Sequence, residues 1–137
     1  MPATIIPTFR YHDAPAAIDF LVEAFGFAVV VDVRDGDRVE HAQLTRGDGM
    51  VMLGSMRDDD FGRRVTTVAE AGRPTSTPYV VVPDVHGHAE QARAVGARIV
   101  MEPEEQDYGG ANYVAADPEG NLWSFGTYDP WAAAEAG

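Results

Sequence analysis

The chain repeats itself. Asp13, Gly26 and Gly49 in the first half are matched by Asp84, Gly96 and Gly120 in the second, at offsets of 71, 70 and 71 residues. Each pair stands where a chain is punctuated: a helix N-cap, a helix stop and a hairpin turn. Any fold for this chain must therefore be assembled from two copies of one supersecondary unit.

The spacing defines that unit. Ile5–Tyr11 is rich in β-branched and aromatic residues and reads as a strand. Asp13 caps a helix over Ala16–Phe25, with Pro15 in its first turn and Ala17, Ile18, Leu21 and Phe25 on one face. Gly26 stops it, and strands follow at Ala28–Arg34, Arg38–Arg46 and Met50–Ser55, separated by the turns Asp35-Gly36-Asp37 and Gly47-Asp48-Gly49. In the second copy, Thr77–Val82 is a strand and Val85–Val95 a helix capped by Asp84 and ended by Gly96. Arg98–Met101, Tyr113–Ala116 and Leu122–Tyr128 are its remaining strands, the last two joined at Asp117-Pro118-Glu119-Gly120. The expected fold is α+β, a single domain over residues 1–137 with βαβββ modules at about 4–56 and 77–129. A polar connector at about 57–76 has room for a short helical turn.

Composition removes several function classes. With 45% hydrophobic residues the chain can bury one ordinary core, yet its apolar runs, such as Val29–Val31, fall far short of a membrane span. Met1–Arg10 lacks the basic region and long apolar run of a secretory signal, so a cytoplasmic location is expected. A net charge of −12 opposes binding to nucleic acid or to an anionic membrane face and suits a neutral or cationic small partner. The chain has no cysteine, and all ten basic residues are arginine, so thiolate and lysine Schiff-base chemistry are excluded.

Two strings carry a family likeness: Asp13-Ala14-Pro15-Ala16-Ala17-Ile18-Asp19-Phe20-Leu21, closing on Ala24-Phe25-Gly26-Phe27, and Asp117-Pro118-Glu119-Gly120-Asn121-Leu122-Trp123-Ser124-Phe125. With the doubled βαβββ unit, they resemble the vicinal oxygen chelate superfamily, in its glyoxalase/bleomycin-resistance and PhnB-like branch. The resemblance implies a curled mixed sheet forming an open half-barrel around a cavity, helices on its outer face, and a homodimer. It also implies a divalent ion held by His and Glu from the first and last strand of each module, acting as a Lewis acid. Carried over by position, those ligands fall at Ile6 or Pro7, Leu53, Thr77 or Pro78, and Ser124, where no side chain binds a metal well; Thr8, Met52, Tyr79, Trp123 and Phe125, one register away, are no better. No metal and no cofactor are therefore expected.

Among the histidines, His12 reads as a solvated helix entrance, and His86 and His88 stand two apart on a helix and cannot chelate together. His41 differs. On Val39–Arg46, Ala42 and Leu44 alternate with His41, Gln43 and Thr45, so if the apolar side packs on the helices, His41 and Gln43 enter the cavity. A three-residue loop at Gly47–Gly49 would pair Gln43 with Leu53, placing Leu53 in the cavity and Met50 and Met52 in the core. Asn112 is the repeat counterpart of His41. His41 then either orients a ligand or shuttles a proton, or is bonded to polar neighbours without a role. Arg10 shares strand parity with Thr8 and is placed to clamp a carboxylate, stack on a ring or sit at the rim. Tyr108, beside Gly109-Gly110, either closes over a ligand or belongs to an ordinary acidic loop. The candidate ligand-binding set is Thr8, Arg10, His41, Gln43, Leu53, Tyr108, Asn112 and Ser124; none is assigned as catalytic. Trp123, Phe125 and Tyr113 alternate onto the helix-packing side.

The leading expectation is a binding protein for a hydrophobic or aromatic small molecule, peptide antibiotics included, working without metal. A lyase, isomerase or dioxygenase of the same superfamily is the alternative. A fold kept as an interaction module is the third reading.

Overall fold

The computed structural model describes residues 2–107 and 109–132. Two four-stranded mixed sheets are present. The first contains β1 (Thr8–Tyr11), β2 (Ala28–Asp35), β3 (Arg38–Arg46) and β4 (Gly49–Ser55) in the order β1-β4-β3-β2, with helix α1 (Ala14–Phe25) between β1 and β2 in sequence. The connector holds a 3₁₀ turn at Gly62–Arg64 and a short helix α2 (Val68–Ala71), two helical pieces where one turn was expected. The second sheet contains β5 (Tyr79–Val81), β6 (Arg98–Glu105), β7 (Ala111–Ala116) and β8 (Leu122–Gly126) in the order β5-β8-β7-β6, with α3 (Val85–Ala94) after β5. In each sheet the first strand runs parallel to the last and the other pairings are antiparallel. The fold is the expected α+β arrangement of two βαβββ units, left open rather than closed into a barrel.

Local chemistry explains the boundaries. Asp13 accepts a hydrogen bond from Ala16 N and Asp84 one from Gly87 N, so both helices start at their aspartates. Gly26 ends α1 in the left-handed region at φ 83°. β6 runs on to Glu105, past the predicted end at Met101, and carries Pro103 inside it. An edge strand with a bulge between Met101 and Glu104 tolerates a residue that cannot donate to the ladder.

One register expectation is overturned. The β3–β4 turn is two residues long, Gly47-Asp48, so Arg46 pairs with Gly49, Gln43 with Met52 and Ala42 with Leu53. Only Gly47 adopts positive φ there (58°); Gly49 belongs to the strand. In the second unit five residues, Asp117–Asn121, separate Ala116 from its partner Leu122, with the positive φ at Gly120. The last strands are therefore related by 72 residues, Met52 to Ser124, while the first and third strands keep 71 and the second strands, Ala28 to Arg98, are related by 70. A one-residue slip moves every side chain to the opposite face. Leu53 and Val51 are consequently buried in the helix-facing core, and Met50 and Met52 lie half-buried on the other face.

The two units share one core. Leu21 and Phe25 of α1, Tyr11 of β1 and Tyr113, Trp123 and Phe125 of the second sheet are buried together. Trp123 stacks on Phe9 at 5.1 Å between ring centres and meets Phe25 and Phe27 at 5.8 and 5.6 Å. Beneath it lies the buried carboxylate of Asp117. This group accepts hydrogen bonds from Tyr11 Oη at 2.6 Å, Trp123 Nε1 at 3.2 Å, Asn121 Nδ2 at 3.1 Å and the backbone N–H groups of Glu119 and Asn121 at 3.0 Å each. Burial and the Asp117 charge push the Tyr11 phenol well above its ordinary pKa, keeping it a donor. Asp117→Ala is expected to destabilise the protein by about 3 kcal/mol or more in urea unfolding, because two buried side-chain donors lose their partner at about 1–3 kcal/mol each. Tyr11→Phe is expected to cost about 2 kcal/mol, and the double variant less than the sum of the two.

Candidate functional site

Each sheet turns one face to the helices and leaves the other open. On the first sheet the register sets Thr8 beside Met52, Arg10 beside Gly54 and Gln43 opposite Met52. His41 and Gln43 are half-buried on this open face, and Gln43 Nε2 lies 3.0 Å from His41 Nε2. An amide nitrogen only donates, so this arrangement puts the imidazole proton on Nδ1. On the second sheet Ser124 stands opposite Val114 and beside Tyr79, and Asn112 stands opposite Gly126. Gln106 Nε2 donates to Asn112 Oδ1 at 2.9 Å.

A glycine on each last strand accommodates a long side chain from the first. Arg10 lies across Gly54, where an added Cβ would come within 2.5 Å of Nη1; the guanidinium donates to Ser55 O at 3.3 Å. Tyr79 lies across Gly126 and donates to Tyr128 O at 2.8 Å. The sequence pattern did not mark Tyr79, because its partner glycine lies far away along the chain.

The structure thus divides the predicted set. Thr8 and Arg10 line a cavity of about 230 Å³ together with Phe9, Phe61, parts of the connector at 65–68 and 74–76, and Asn121. His41 and Gln43 form a separate pair on β3, and Asn112 and Ser124 lie on the second sheet. Leu53 is placed in the core by the register correction, facing α1 rather than the open side. Tyr108 lies outside the described residues. Phe61, Thr75 and Ser76 were missed because the connector has no periodicity that assigns a face.

Arg10 is electrostatically distinctive. Burial lowers its pKa first, then the charge of Arg57, with Arg38 acting the same way and Asp59 opposing. The Asp59 carboxylate already accepts from Arg57 Nε at 2.7 Å and Gly62 N at 2.8 Å.

His88, read from the sequence only as a helix residue unable to chelate with His86, is built into the junction of the two units. Its Nε2–H donates to Phe25 O at 2.9 Å, and Nδ1 accepts from Tyr113 Oη at 2.6 Å. Its ring packs against Phe125 at 4.4 Å. Burial lowers its pKa below the ordinary value, outweighing the Phe25 carbonyl bond, so the neutral ring is the native form. The stabilisation is complete above the unfolded-state pKa of about 6.5 and is lost as pH falls through the lower folded value. Unfolding free energies measured from pH 7.5 to 5 are therefore expected to fall more steeply for the wild type than for His88→Gln. Parallel curves would show that His88 does not titrate this way.

The sequence model of the Glyoxalase/Bleomycin resistance protein/Dioxygenase superfamily matches residues 6–125, and the chain belongs to that family. No curated protein sequence matches significantly. Among solved structures, TioX from Micromonospora sp. ML1 is similar at 28% identity and a TM-score of 0.71, covering 90% of this chain and 94% of its own. The fosfomycin resistance protein FosX from Mesorhizobium loti shares the fold at 15% identity and a TM-score of 0.67, with 98% of both chains covered. An E144Q mutant of glyoxalase I from Zea mays does so at 21% identity and a TM-score of 0.69, over 88% of this chain and 43% of that one.

The residues present do not fit the metal that the superfamily implies. The open-face neighbours on the first and last strands are Thr8 and Met52 in one unit and Tyr79 and Ser124 in the other. None is a carboxylate or an imidazole, and a thioether or neutral hydroxyl holds a hard or borderline divalent ion poorly. Among the described residues no three His, Asp or Glu side chains gather as a ligand set. Nor, among those residues, is any helix long and apolar enough to cross a membrane.

Proposed function

We propose that this chain is a metal-independent binding protein of the antibiotic-binding, self-resistance type. It would sequester a bulky aromatic or peptide natural product in the cytoplasm, between two copies of a homodimer. The observation that carries the reading is the chemistry of the open faces. Neutral polar anchors, His41 with Gln43 and Asn112 with Ser124, sit among Met52, Tyr79 and Val81, with no ligating set at the superfamily's positions. Such a surface binds through apolar area and uses a few polar groups for orientation. Tyr79 and Val81 are each 41% exposed, and the outer strands β2 and β6 carry Val30 at 58% and Met101 at 59%, which suits burial against a second copy. The net charge of −12 favours a cationic ligand, and FosX, with this fold, is named as a resistance protein.

The test is thermal unfolding with bleomycin and with aromatic peptide antibiotics, set against zinc and nickel. A ligand at about 100 times its Kd is expected to raise Tm by roughly 5–10 °C, and metal salts are expected to leave it unchanged. His41→Ala and Gln43→Ala should each weaken binding about tenfold, for a lost buried hydrogen bond of about 1–1.5 kcal/mol. Sedimentation should give twice the chain mass.

The second reading, a lyase, isomerase or dioxygenase, is favoured by the open-face imidazole of His41 and by the fold shared with glyoxalase I. Metal analysis of protein purified without chelator separates the two. Stoichiometric divalent metal that disappears in His41→Ala would replace the binding-protein reading with the enzyme.

A further inference from the structure

The cavity of about 230 Å³ at the junction of the two units is not explained by a concave strand face alone. Its walls come from three parts of the chain distant in sequence: β1, the connector, and Asn121 in the turn before the last strand. Phe9 and Phe61 supply aromatic surface, and Thr75 and Ser76 supply hydroxyl groups. Among the described residues that line it, Arg10 alone is charged.

Arg10 is also under-used. Its planar guanidinium has five N–H donors, makes one long hydrogen bond to Ser55 O at 3.3 Å, and rests over the Phe61 ring at 5.7 Å. Among the described residues no carboxylate forms an ion pair with it, and the nearby Asp59 is committed to Arg57 and Gly62. The charges of Arg57 and Arg38 add further positive potential at Arg10. The chain's overall charge of −12 does not cancel this, because distant surface carboxylates are screened over about 8 Å at physiological salt.

We propose that this junction cavity is a binding site for a compact aryl or branched-alkyl carboxylate, its acid group clamped by Arg10 and its apolar body held between Phe9 and Phe61. The size sets the class, since the volume falls below the roughly 300 Å³ at which drug-sized pockets begin. The paired N–H edges of arginine match a carboxylate, and the Phe61 ring lies 5.7 Å from the guanidinium carbon. The site goes beyond the function proposed above and uses neither His41 nor Gln43.

The test uses 3-phenylpropanoate on the full chain, with 3-phenylpropanamide and 3-phenylpropylammonium as neutral and cationic counterparts of the same size. Affinities come from titrations followed by amide NMR. The acid is expected to bind at least tenfold more tightly than either counterpart and to shift resonances of residues 8–10, 61 and 75–76. Arg10→Gln should reduce the acid to the level of the amide, and Arg10→Lys should keep part of the preference. Equal affinities for acid and amide, no binding of the acid, or shifts centred on residues 41–43 would each overturn the proposal. The last of these would leave the open-face reading standing. The wild-type comparison of acid with amide decides the matter even where a variant fails to fold.

Discussion

The buried carboxylate of Asp117 ties the molecule together. It accepts from Tyr11 of the first unit and from Trp123, Asn121 and two backbone amides of the second. Taking an ionised carboxylate out of water costs several kcal/mol, and the bonds it accepts must offset that cost together, at about 1.5–3 kcal/mol each. Two residues on, the Glu119 carboxylate accepts from the backbone N–H groups of His12 and Asp13, securing the entrance to α1 from the opposite end of the chain. The closing turn thus serves as the fastening between the units.

A second fastening lies at the other end of α1. His88 and Arg46 both donate to the Phe25 carbonyl, one from the second unit and one from the first. A helix leaves its last carbonyls without internal partners, and here one of them joins the units. With both ends of α1 held, Phe9 and Trp123 stack across the junction, and the cavity beside Arg10 is walled by Phe9 and by residues of the connector. Open faces, junction cavity and shared core are consequences of one docking arrangement.

Much of this was legible beforehand. The aspartate caps, the glycine stop of α1, the alternation that buries Ala42 and Leu44, and the inward placement of Trp123 and Phe125 all follow from local chemistry. The position of Leu53 was not legible. Gly49 and Gly120 stand at the repeat spacing, but the first turn bends at Gly47, and the mismatch of one residue turns the whole of β4 over. The burial of His88 was equally out of reach, because its partners are a carbonyl on α1 and a hydroxyl on β7.

By itself the sequence determined the repeated βαβββ plan, the helix limits and most strand faces. These depend on caps, periodicity and side-chain chemistry, which act over a few residues. Only the tertiary structure decided the register of β4, the union of the two units through Asp117 and His88, and the cavity that isolates Arg10 beside Phe61. Those features rest on contacts between residues far apart in the chain, 106 positions for Tyr11 with Asp117, and no local pattern encodes the distance across such a gap.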